Sequence, residues 1–216
     1  MWSVSLRRIM PGLLLLTLMA CSSGAPALTQ STRPASTMPP GTPTVESTSV
    51  ALLPIPTTHP TPAGHFLLLK PDVPIPATCP VNPVYAGSLG IAGITDVPWV
   101  KADPVSSQVT AFLFFVEPTY RQTHTYQPLH TGGSYPDGSR NTKILWVLNV
   151  SAPPDTVVIT GVKVSSPHET FQQAFPMAGA PGPGWSYPSI VNITTPGCWQ
   201  LQVNGAASII FWVTGN

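Results

Sequence analysis

Proline and glycine punctuation constrains this chain more than any other feature. Its 216 residues include 28 prolines and 17 glycines, and one or the other interrupts nearly every window long enough for several helical turns. Proline removes a main-chain donor and clashes with the preceding turn, while glycine costs about 1 kcal/mol against alanine inside a helix. No segment longer than a turn shows apolar residues at helical spacing. The folded part is therefore expected to be all-β.

Composition divides the chain in three. Arg7 and Arg8 precede an apolar run, Ile9 to Ala20, that is broken by Pro11-Gly12 and falls short of the roughly 20 residues needed to span a hydrocarbon core. Residues 1–20 read as an export signal that is removed. Leu18-Met19-Ala20-Cys21 has the anatomy of a bacterial lipoprotein signal, with the Cys21 thiol as acceptor of a diacylglyceryl group; a plain secretory peptide cut after Ala20 looks similar. From Ser22 to about Gly64 the chain is mostly Ser, Thr, Pro and Ala, which cannot bury enough apolar surface to form a core. Residues 21–76 are thus expected to be a lipid-anchored, disordered Ser/Thr/Pro-rich linker, interrupted by small apolar patches at Val50 to Ile55 and Phe66 to Leu69. Residues 77–216 leave room for one domain. The expected location is the bacterial cell envelope, with the protein exported and lipid-anchored to the membrane.

Charge and cysteine usage agree with export. Of 9 basic and 8 acidic residues, removal of Arg7 and Arg8 leaves 7 against 8, and these are scattered, so no basic stripe is present to engage nucleic acid. Charged residues make up only 8%, against roughly 25% in an average soluble domain. Solubility must come from Ser, Thr, Asn and Gln. With Cys21 lipidated, Cys79 and Cys198 remain as one possible pair in a compartment that permits disulfides; two unpaired thiols are the alternative.

From Cys79 onward, short apolar runs alternate with turn residues. Val109 to Val116 and Ile144 to Val150 are apolar on both faces and read as central strands. Val157 to Val164 and Ser189 to Thr195 read as further strands. In Cys198 to Val203, residues Trp199, Leu201 and Val203 fall on one face, and Cys198, Gln200 and Gln202 on the other. Asn204-Gly205 suits a type I′ turn leading into a partner strand, Ala207 to Val213. An immunoglobulin-like two-sheet sandwich is the expected architecture, with a jelly roll or small barrel as the alternative.

The blocks Asn141 to Val147, Tyr187 to Val191 and Pro196 to Leu201, opened by Cys79-Pro80-Val81, resemble those of a group of bacterial secreted proteins and lipoproteins of uncharacterised activity. That resemblance implies an Ig-like β-sandwich and an envelope location, and supplies no catalytic residues to carry over. Gly197 to Leu201 also resembles immunoglobulin strand F, with Trp199 at the tyrosine-corner position, where an indole replaces the phenol.

Chemistry has few places to sit. The long segment Glu117 to Lys143 carries Tyr120, Arg121, His124, Tyr126, His130, Tyr135, Asp137 and Arg140. Tyr and Arg supply rigid area with a polar tip, so Tyr120, Arg121, His124, Tyr126, His130, Tyr135 and Arg140 form a candidate recognition loop. His124 and His130, with Glu117, Asp137 or His168, invite a metal reading, but two histidines in an irregular loop do not define a tetrahedron. No Gly-x-Ser-x-Gly, His-Glu-x-x-His or phosphate-loop pattern occurs. No catalytic residue, metal ligand set or cofactor is assigned. The expected role is a non-catalytic Ig-like binding or structural module with an envelope protein or polysaccharide partner. The alternatives are an envelope metal-binding protein or hydrolase using the 117–143 loop, and a ligand-binding lipoprotein assisting a transporter or sensor.

Overall fold

In the computed structural model, residues 51–55, 65–91, 93–179 and 184–215 are described. The expected export signal, Cys21 and most of the Ser/Thr/Pro-rich stretch lie outside the described residues.

The strands are β1 (Leu67–Pro71), β2 (Val84–Ala86), β3 (Trp99–Lys101), β4 (Val109–Leu113), β5 (Thr125–Tyr126), β6 (Leu129–His130), β7 (Lys143–Leu148), β8 (Thr156–Lys163), β9 (Ser166–Pro176), β10 (Trp185–Ile190), β11 (Gly197–Val203) and β12 (Ala207–Thr214). Seven form a sheet in the order β10-β7-β4-β3-β2-β1-β5, and five form a second in the order β6-β12-β11-β8-β9. The result is an all-β two-sheet sandwich.

Alternation along each strand explains the packing. Ala111, Leu113, Ile144 and Trp146 from the first sheet join Ile159, Trp199, Leu201 and Ile209 from the second in one continuous core. Most of the intervening residues of β4, β7, β11 and β12 are also buried, because part of each sheet's outer face is covered. Phe112 and Val147 gather with Tyr85 and Trp99 under Leu89, Ile91, Ile94 and Val97. On the five-stranded sheet, Cys79, Cys198 and Ile210 pack with Ile55, Ile75, Val81 and Trp212. This double coverage is why β4 is buried throughout. Buried indoles find acceptors, as their N–H groups require: Trp99 Nε1 donates to the Gly87 carbonyl at 2.8 Å and Trp146 Nε1 to Ser189 Oγ at 2.9 Å.

The β11–β12 hairpin forms as expected. Asn204 and Gly205 have φ of 50° and 67°, and Val203 pairs with Ala207 across the turn. Trp199 donates its indole N–H to the Thr195 carbonyl at 3.0 Å, so it makes the back-bond to the main chain that a phenol makes at a tyrosine corner. Cys79 and Cys198 are disulfide-bonded across a sequence separation of 119.

Several boundaries differ from expectation. The strand expected over Val109 to Val116 ends at Leu113, where the chain turns. The one expected over Ser189 to Thr195 lies earlier, as β10, and places Pro188 opposite Leu145. β10 is an edge strand, the setting in which a residue without an N–H is tolerated. β1 lies on the linker side of the expected boundary at 77, because its main chain pairs with β2 and, in parallel, with β5. The eleven-residue β9 was not expected at all. It pairs with β8, and Phe171 crosses Gly161 so closely that a Cβ there would lie 2.0 Å from the ring.

Candidate functional site

The 117–143 segment is built into the sandwich. Its first turn, α1 (Tyr120–Thr123), ends at His124, whose φ of 58° reverses the chain into β5. β5 then extends the seven-stranded sheet beside β1, and β6 extends the five-stranded sheet beside β12. The segment thus contributes an edge strand to each sheet. Its tyrosines point inward: Tyr120, Tyr126 and Tyr135 are 5, 6 and 7% exposed. The Tyr120 hydroxyl donates to the Asp96 carbonyl at 3.0 Å and the Tyr135 hydroxyl to the Pro128 carbonyl at 3.2 Å. Burial pushes the Tyr126 and Tyr135 phenols up to about 12.

Arg140 ties this segment together. Its guanidinium lies 4.2 Å from the Tyr135 ring centroid, donates to the Phe115 carbonyl at 2.9 Å and pairs with Glu117 at 3.1 Å. The His130 ring packs at 4.4 Å from Tyr135, and its Nδ1 lies 3.3 Å from Thr214 Oγ1. Burial lowers the His130 pKa, with Arg140 acting in the same direction. Arg121 is exposed, in a 3.6 Å ion pair with Asp96. Among the described residues, no three His, Cys, Asp or Glu side chains are grouped as a metal site. Of the candidate recognition residues, Tyr120, Tyr126 and Tyr135 are thus buried in the sandwich, whereas Arg121 and His124 are exposed.

A more specific arrangement lies on the outer face of the five-stranded sheet. Residues 51–55, from the late part of the Ser/Thr/Pro-rich stretch, form a strap across β11. Leu53 donates its main-chain N–H to Gln200 Oε1 at 2.9 Å, and Gln200 Nε2 donates back to the Leu53 carbonyl at 3.0 Å. Two residues away on each chain, Gln202 Nε2 donates to the Ala51 carbonyl at 2.9 Å. Ile55 packs in the cluster that contains Cys198. The strap therefore runs opposite to β11, and its steps of two match the pleat of the strand beneath. Gln202 Nε2 also lies 3.2 Å from Gln200 Oε1 as a donor, which orients the Gln200 amide.

Sequence shows why this surface forms. Alternation places Trp199, Leu201 and Val203 in the core, so Cys198, Gln200 and Gln202 face out. Those glutamines are only 0 and 4% exposed, and a buried amide without partners would cost roughly 1–3 kcal/mol. The strap and Ser208 Oγ supply partners. Each main-chain bond adds about 1 kcal/mol net, so the strap is held by modest forces.

Beside the strap is a cavity of about 440 Å³, lined by Leu53, Pro54, Asp103, Pro104, Val105, Ala206 and Ser208. Its walls are fixed by main-chain bonds of 2.8 Å in both directions between Asp103 and Ser208. Asn82 braces the same corner, donating to Asp103 Oδ2 at 2.6 Å and accepting from the Ile210 N–H at 2.7 Å. The glutamine pair was not singled out as a site from sequence. Its signals were present as two outward amides in a strand and an apolar patch in the linker, but nothing local connects them. Comparison with known protein families, with characterised proteins and with solved structures finds no match for this chain.

Proposed function

We propose that this chain is a non-catalytic β-sandwich module of the bacterial cell envelope, exported and tethered through a lipidated Cys21, with a binding or structural role toward an envelope protein or polysaccharide. The observation that carries this reading is the grip of Gln200 and Gln202 on Ala51 and Leu53. It seats residues 51–55, from the end of the Ser/Thr/Pro-rich stretch, on the sandwich at a defined place. The Cys79–Cys198 bond supports it, since disulfides persist in oxidising compartments. The apolar run ahead of Cys21 and the resemblance to bacterial secreted proteins point the same way.

A second reading, a ligand-binding lipoprotein serving a transporter or sensor, draws on the cavity of about 440 Å³ next to the strap, a size within the usual range for small-molecule sites. Fractionation tests the primary reading. The unmodified protein should need detergent for release from membranes, and Cys21→Ser should move it to the soluble fraction. Retention of Cys21→Ser in the detergent-requiring fraction would count against lipid tethering.

A further inference from the structure

We propose that the track over β11 is a recognition site for an extended, uncharged, apolar segment of another protein, and that the strap 51–55 is its resident stand-in. The strap displays the chemistry of the ligand. All three of its hydrogen bonds to Gln200 and Gln202 use main-chain atoms, so any extended chain in the same register satisfies them. Side-chain selection comes from two places. Leu53 and Pro54 border the cavity beside Asp103, and Ile55 packs in the Cys79–Cys198 cluster. A charged residue at the place of Leu53 would lose water against neutral amides, and an acidic one would also meet Asp103. Pro54 keeps the residue before it extended, so a Leu-Pro pair arrives in the conformation that the Gln200 amide reads. Edge-strand peptide recognition uses the same division, with main-chain bonds for affinity and pockets for alternate side chains.

The strap competes from within. Nine residues, 56–64, separate it from the next described residue, and such a short connection holds a segment at an effective concentration of order mM. A partner must therefore exceed the strap in affinity or engage the track when the strap is drawn off.

The test uses the mature chain carrying Cys21→Ser, which makes it independent of anchoring. A fluorescent acetyl-Ala-Leu-Leu-Pro-Ile-amide peptide is titrated against this protein and against the same chain with Leu53→Pro, which lacks the donor to Gln200 Oε1. The second protein should bind the probe about tenfold tighter or better, as removal of a mM internal competitor requires. A probe N-methylated at its second leucine should lose at least about tenfold, a change confined to the ligand and so free of any effect on folding. Equal binding of the two probes, or no binding to the Leu53→Pro chain, would overturn the proposal. A dimer of the unmodified chain that dissociates on Leu53→Pro would also overturn it, by identifying a second copy of this chain as the occupant.

Discussion

Gln200 and Leu53, 147 positions apart, exchange two hydrogen bonds between one side-chain amide and one residue's main chain. The pairing gives a wholly buried amide its partners and gives the strap its register. Replacement of Gln200 by Leu keeps the volume and removes both bonds. The sandwich should then lose about 1–3 kcal/mol, because replacing Gln200 alone deprives Ser208 Oγ and Gln202 Nε2 of a partner. The strap should detach, and limited proteolysis near residues 51–64 should accelerate several-fold while the rest of the domain stays resistant.

The Cys79–Cys198 bond closes a loop spanning 119 positions. Chain entropy in the unfolded state gives roughly 5 kcal/mol for a loop of that order, as an upper bound. Cys79→Ser with Cys198→Ser should lower the denaturation midpoint accordingly, by about 2–5 kcal/mol in urea unfolding. A change below 0.5 kcal/mol would show that the bridge adds nothing beyond the packing of Ile210 and Trp212 around it.

Gly161 has no alternative residue in this packing. Its cross-strand partner Phe171 covers it, and the Phe171 ring in turn lies 5.6 Å from Trp199. Gly161→Ala must push the ring off its contact, at a cost of about 1–3 kcal/mol. Adding Phe171→Ala should remove much of that clash, so the double variant should be more stable than the sum of the two single changes predicts. Additivity in a double-mutant cycle would contradict the account of this contact.

Acid should weaken the fold in two separate windows. Burial, with Arg140, holds His130 below its ordinary value of about 6.5, while Asp72 acts in the opposite sense. The unfolded chain then takes up this proton first as pH falls, so the contribution is complete above the unfolded value and is lost as pH drops through 6.5 toward the folded value. Hydrogen bonds from Lys163 and then Thr195 hold the Glu169 carboxyl below its usual range, and its contribution disappears at lower pH, below about 4.5. Urea midpoints across pH 7.5 to 3.5 should show both declines. His130→Gln should flatten the upper one, and Glu169→Gln the lower.

Local pattern reveals the parts of this fold that local chemistry decides. The β11–β12 hairpin was legible because strict alternation ends in Asn204-Gly205, which can adopt positive φ. β9 was not, since it is an edge strand whose exposed positions, including His168 and Gln172, weaken the apolar signal. The tyrosines of the 117–143 segment looked like surface residues. Their hydroxyls are satisfied by the carbonyls of Asp96 and Pro128, partners that spacing does not reveal. The candidate site has the same character. Val50 to Ile55 stood out as apolar and Gln200 as outward-facing, yet only the folded sheet brings Leu53 and Gln200 together.

Amide hydrogen exchange at Leu53 in the chain from Cys21 onward tests the central claim most directly. If Gln200 holds the strap, the Leu53 N–H should exchange at least about tenfold more slowly than in an unstructured peptide, and Gln200→Leu should restore the unprotected rate. A Leu53 amide that exchanges at the unprotected rate in the unmodified protein would contradict the account.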